Sequence, residues 1–115
     1  IKDYIEITKS NQIHLSISMY PHLAQIVPEN KVYGTDMNSL YNRIFEKRVL
    51  SLSQKENIFF KSFYEPISQS VLSNKRLYLS NDMHFNAYGF DYLAELVTEW
   101  VVRNPQKSIG FAPQK

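Results

Sequence analysis

Two periodicities share this chain, and together they restrict what it can fold into. From Phe90 to Val101 the residues Phe90, Leu93, Ala94, Val97, Trp100 and Val101 recur every three or four positions, with Asn86 ahead of them as an N-cap and Asp91, Glu95, Thr98 and Glu99 on the opposite side. From Ile13 to Tyr20, apolar and small polar residues instead alternate at every second position. The first pattern buries one stripe of a helix and the second buries one face of a strand, so the chain is read as α/β. With 115 residues it has enough surface to bury for one core and too little for two independent ones.

The other elements follow from the same rules. Ile1, Tyr4, Ile5 and Thr8 lie at helical spacing, predicting the last turns of a helix over residues 1–9. Pro21 and Pro28 bracket the run HLAQIV, which predicts a loop or one short helical turn. Between Gly34 and Asn57 a second helix is expected, with Asp36 as N-cap, an apolar series through Leu40, Tyr41, Ile44, Phe45, Arg48 and Val49, and Arg43, Glu46 and Lys47 on the other face. Ile58-Phe59-Phe60 and Arg76–Ser80 are the remaining strand candidates. After Asn104-Pro105 periodicity is lost, so residues 1–103 read as the domain and 104–115 as a surface or disordered tail.

Composition removes several functions. Thirteen Lys and Arg against eleven Asp and Glu leave a charge of +2, scattered along the chain, which is not the basic footprint of a nucleic-acid-binding protein. No cysteine is present, so disulfides, thiolate catalysis and Cys-ligated zinc are excluded. No apolar run approaches the roughly 20 residues of a membrane-spanning helix. The chain opens on Ile1 without Met, which reads as a trimmed piece of something longer; only about two βα units are visible, fewer than a covered parallel sheet requires.

Acid–base chemistry has three histidines to draw on. His14 lies within the alternating strand, and His22 follows Tyr20-Pro21 at its end, where ligands of open α/β sheets gather. His84 has a neighbour that changes its prospects: Asp82 is two residues away, and in an extended segment i and i+2 point to the same side. A carboxylate there can accept the Nδ1 proton and leave Nε2 as a general base. The competing reading is a plain turn, with Asn81-Asp82 as turn formers and His84 on the surface. A three-ligand metal site from Asp82, His84 and His22 has the right residue types, but no paired-His spacing on a helix accompanies it, and no metal or cofactor is expected.

The run Asp82-Met83-His84-Phe85-Asn86-Ala87-Tyr88-Gly89, leading directly into an amphipathic helix, resembles the last block of the SGNH/GDSL-type hydrolases. Ser18-Met19-Tyr20-Pro21-His22-Leu23-Ala24-Gln25-Ile26 is similar to a strand ending in Tyr-Pro in bacterial members, and Ile58-Phe59-Phe60-x-x-Phe63 to the segment between the two. The D-x-H spacing, where many members have D-x-x-H, resembles the bacterial esterase-like and polysaccharide O-acetyltransferase-like branches. The resemblance implies the C-terminal portion of a three-layer α/β/α sandwich with a mainly parallel, flavodoxin-like sheet. It implies that Asp82 and His84 are the acid and base of a Ser-His-Asp triad acting on an ester or O-acetylated substrate, carbohydrates included. No Gly-Asp-Ser block is present, and no serine follows a strand with the small residues of a nucleophile turn; the nucleophile is therefore expected upstream of Ile1. A half-domain leaves apolar faces open, so a homo-oligomer or a missing N-terminal half is expected to cover them. The alternative is a non-catalytic module that binds through exposed aromatics, of which the sequence has 8 Tyr, 7 Phe and 1 Trp.

Overall fold

The computed structural model of the chain describes residues 1–27, 42–80 and 82–105. In order these form helix α1 (Lys2–Ser10), strand β1 (Ser16–Met19), the short helix α2 (Leu23–Ile26), helix α3 (Ile44–Lys55), strand β2 (Phe59–Ser62), helix α4 (Tyr64–Leu72) and helix α5 (Ala87–Arg103). The class is mixed α/β.

β1 and β2 pair in parallel, in register from Ser16 opposite Phe59 to Met19 opposite Ser62, and the Phe63 N–H extends the ladder to the Met19 carbonyl at 2.8 Å. Parallel neighbours need a crossover, supplied here by the chain that carries α2 and α3. The alternation that began at Ile13 yields a strand only from Ser16, because Ile13 is engaged in closing α1.

Three helices stop in the same way. Gln12, Asn57 and Asn74 have φ of 56°, 55° and 65°, and the residue after each donates back into the helix: Ile13 to Thr8, Ile58 to Ser53 and Lys75 to Ser70, at 2.8, 2.8 and 3.0 Å. This is the Schellman arrangement, which consumes the last orphan carbonyls. Asn tolerates the left-handed conformation better than most side chains, which suits two of the three positions.

α3 begins at Ile44, after Arg43 at φ 54°. The expected N-cap Asp36, with Leu40 and Tyr41, lies outside the described residues. Val49 is buried while Phe45 is largely exposed, so the packed stripe is narrower than its spacing suggested. Arg43 is not merely on a solvated face: it pairs with Glu46 and its guanidinium sits 3.9 Å over the Tyr64 ring, tying α3 to α4.

α4 was not anticipated from the spacing of apolar residues. Its first turn contains Glu65 and Pro66, both suited to a helix start, and Ser62 Oγ accepts the Tyr64 N–H at 3.2 Å. Ile67 is fully buried, with Ser68 and Ser70 beside it.

The core gathers Ile26, Phe63, Ile67, Leu77, Tyr78, Phe85 and Trp100. α5 covers it with Tyr92, Leu93, Leu96, Val97 and Val101, whereas Phe90 is half exposed and Ala94 exposed. The expected stripe is thus rotated toward Tyr92 and Leu96. Arg76–Ser80 is not a strand among the described residues; it contributes an isolated antiparallel bridge from Tyr78 to Phe85. α5 ends at Arg103, and residues 106–115 of the expected tail lie outside the described residues.

Candidate active site

The site is built where β1 ends. Tyr20, Pro21 and His22 follow Met19 at the carboxyl end of the strand, the position at which open α/β sheets bind ligands. The Tyr20 ring stacks on Phe85, with centroids 4.8 Å apart and planes at 27°. The buried Tyr78 hydroxyl donates to the Pro21 carbonyl at 2.6 Å. Residues 57 positions apart, Pro21 and Tyr78, are thereby fastened into one surface.

Asp82 and His84 occupy the turn that leaves the Tyr78–Phe85 bridge. Leu79 N–H donates to the His84 carbonyl at 2.9 Å and Asn86 N–H to the Leu77 carbonyl at 3.0 Å, fixing both ends. Asp82 Oδ1 accepts from the His84 N–H at 3.1 Å and lies 2.6 Å from His84 Nδ1. An ionised carboxylate has no proton to give, so Nδ1 is the donor and the neutral ring carries its lone pair on Nε2. These bonds, that from the His84 ring first, hold the Asp82 carboxyl below the ordinary carboxylate range. The His84 side chain is 81% exposed, which leaves Nε2 open to a substrate.

Three further residues of the block, Phe85, Asn86 and Gly89, hold this turn. Phe85 is buried, edge-on to Phe90 at 5.7 Å and 4.6 Å from the Tyr78 ring. Asn86 caps α5, its Oδ1 accepting from the Gly89 N–H at 2.8 Å, while its Nδ2 donates to the carbonyls of Arg76 at 2.7 Å and Tyr78 at 3.3 Å. At Gly89 a Cβ would lie 2.0 Å from the Leu77 carbonyl oxygen, so a glycine lets α5 start directly against the 77–79 segment.

His22 comes to the same region with a different task. It caps α2: Nδ1 accepts from the Ala24 N–H at 3.2 Å and its own N–H donates to Gln25 Oε1 at 2.7 Å. Burial first, and the positive charge of nearby His84 second, push its pKa below the ordinary imidazole value. His14 precedes β1 and so lies toward the opposite end of that strand from the dyad. Among the described residues no group of three His, Asp or Glu side chains is placed to hold a metal ion, so Asp82, His84 and His22 do not form the three-ligand set considered above.

The spacing of Asp82 and His84 was readable in the sequence, but the stacking of Tyr20 on Phe85, the Tyr78 bond to Pro21 and the clamp role of Asn86 were not. Their signal lay in pairings across the chain that periodicity does not report. No described helix is long and apolar enough to cross a membrane. Comparison with protein-family models, with curated proteins and with solved structures finds no match.

Proposed function

We propose that this chain carries the acid–base half of a serine-dependent ester hydrolysis or O-acetyl transfer site, on the C-terminal portion of an SGNH-like three-layer sandwich. The observation that carries the reading is the 2.6 Å contact between Asp82 Oδ1 and His84 Nδ1 on a largely exposed imidazole. In this reading His84 Nε2 takes the proton of a serine hydroxyl as the serine attacks the ester carbonyl. The same imidazolium then returns the proton to the departing alcohol, with Asp82 orienting the ring and stabilising its charge.

The serine is placed on a segment preceding Ile1, which as in the resembling family would also supply the oxyanion donors. Most of the described serines lie within helices or strands, which agrees with this. Ser53, Ser68 and Ser70 are buried within helices, Ser62 ends β2 and accepts the Tyr64 N–H, and Ser16 and Ser18 belong to β1. A binding module built from exposed tyrosines gains no comparable support. Of the exposed tyrosines among the described residues, Tyr20 and Tyr88 belong to the His84 region and Tyr4 lies elsewhere.

The test is an assay on p-nitrophenyl acetate with two polypeptides, the 115 residues alone and a version extended upstream through the next strand. The extended form is expected to turn over and to lose on the order of 10²–10⁴ of its rate on His84→Ala, while the shorter one is inert. An inactive extended form sinks the reading. Turnover by the short form that His84→Ala abolishes shows instead that the nucleophile is within it.

A further inference from the structure

A groove of about 380 Å³ borders, through Leu79 and Ser80, the turn that leads to the dyad, and its volume is within the size range of small-molecule sites. Its apolar lining comes from Leu23, Val71, Leu77 and Leu79, and its charged lining from Lys75 and Arg76; among the described residues no acidic side chain lines it. Leu23 is the neighbour of His22, and the Leu79 N–H is bonded to the His84 carbonyl; Val71 belongs to the last turn of α4, and the two cations follow that helix in the chain. Leu77 is buried and forms the floor, while Leu79, Lys75 and Arg76 are exposed.

This mixture is specific. Lys75 Nζ stands 5.9 Å from the Tyr92 ring centroid, and both Lys75 and Arg76 are exposed; a neutral apolar ligand would not use their charge, and a small anion would leave the leucines unused. An aliphatic chain with an anionic end meets both demands, its tail removing Leu23, Val71 and Leu79 from water and its charge lying at Lys75 and Arg76. Two residues lie between Arg76 and Leu79, so the apolar segment has at most about 10 Å to span.

We propose that this groove binds an aliphatic carboxylate, anion toward Lys75 and Arg76 and chain toward Leu79. A substrate using it would carry its ester at the chain end remote from the carboxylate. That last step rests on the reading of Asp82 and His84 as a catalytic pair; the groove's choice of ligand does not.

Octanoate and 1-octanol serve as probes, titrated separately into the chain while backbone amide resonances are followed. Octanoate is expected to give saturable shifts at Leu23, Val71, Leu77 and Leu79, with affinity that falls as salt is added. A Lys75→Gln/Arg76→Gln variant, altered only at exposed side chains, is expected to bind octanoate about tenfold more weakly and 1-octanol as before. His84→Ala is expected to bind octanoate as the unmodified chain does. Absence of saturable shifts at those amides overturns the proposal, as does unchanged octanoate affinity in the double variant or 1-octanol binding as tightly as octanoate. Octanoate binding without esterase activity in the extended polypeptide would leave the groove standing and remove the dyad reading; activity without octanoate binding would do the reverse.

Discussion

At Gly89 two demands on one residue conflict, and distance decides between them. Alanine is the better helix former by about 1 kcal/mol, so by propensity alone Gly89→Ala should stabilise the first turn of α5. Yet the added Cβ would meet the Leu77 carbonyl oxygen at 2.0 Å and a Phe85 ring carbon at 3.0 Å. The nearer of these is backbone, and it is held by the Asn86 N–H at 3.0 Å, so it cannot swing away as a flexible side chain would. Overpacking of this kind costs about 2–3 kcal/mol, more than the propensity gain. Gly89→Ala is therefore expected to lower the unfolding free energy by about 2 kcal/mol in a denaturant titration; stability equal to the unmodified chain would show that α5 does not start against residue 77. The glycine could be read in the sequence as part of a block, but not its reason, since the carbonyl it accommodates comes from Leu77, on another segment.

Among the elements, those with an internal period were legible and those defined by partners were not. α1 and α5 follow from apolar spacing, and the αL positions that end α1, α3 and α4 fall on Gln12, Asn57 and Asn74 rather than on glycine. A search for glycine stops in a chain with only three glycines therefore had little to find. α4 escaped because serines occupy buried positions 68 and 70 where periodicity looks for aliphatic residues. α2 depends on His22, whose ring must be neutral to accept the Ala24 N–H. Its pKa lies below the unfolded imidazole value near 6.5, so the folded chain binds fewer protons there than the unfolded one. The contribution of this group to stability is accordingly constant above that unfolded value and declines as pH falls through it toward the lowered folded value. Asp82, whose pKa is also lowered, adds a second decline only at more acidic pH, near and below the carboxylate range. In a histidine NMR titration His84→Ala, which removes the nearby positive charge, is expected to raise the His22 midpoint toward 6.5. A midpoint unmoved by the substitution would place the two rings too far apart to share a site.

For the whole molecule, the two-stranded parallel sheet is the informative feature. Parallel sheets are ordinarily covered on both faces by helices, yet no residue of β1 or β2 is fully buried. Among the described residues, each strand has a ladder partner on one edge only. Large apolar side chains also stand open across several elements, with Tyr4 and Leu72 each 70% exposed, Phe45 65% and Ile7 57%. Dispersed single residues of this kind are normal on a surface, but here they accompany half-buried strands with one open edge each, and open strand edges with apolar neighbours associate. The half-domain proposal turns this into a measurable property: the chain by itself should form dimers or larger species at tens of micromolar in sedimentation velocity. Addition of the upstream segment should return it to a monomer while lowering its binding of a hydrophobic dye. A monomer that binds no dye in the absence of that segment would mean the open strand edges are tolerated as they stand, and the proposed missing half would lose its physical motive.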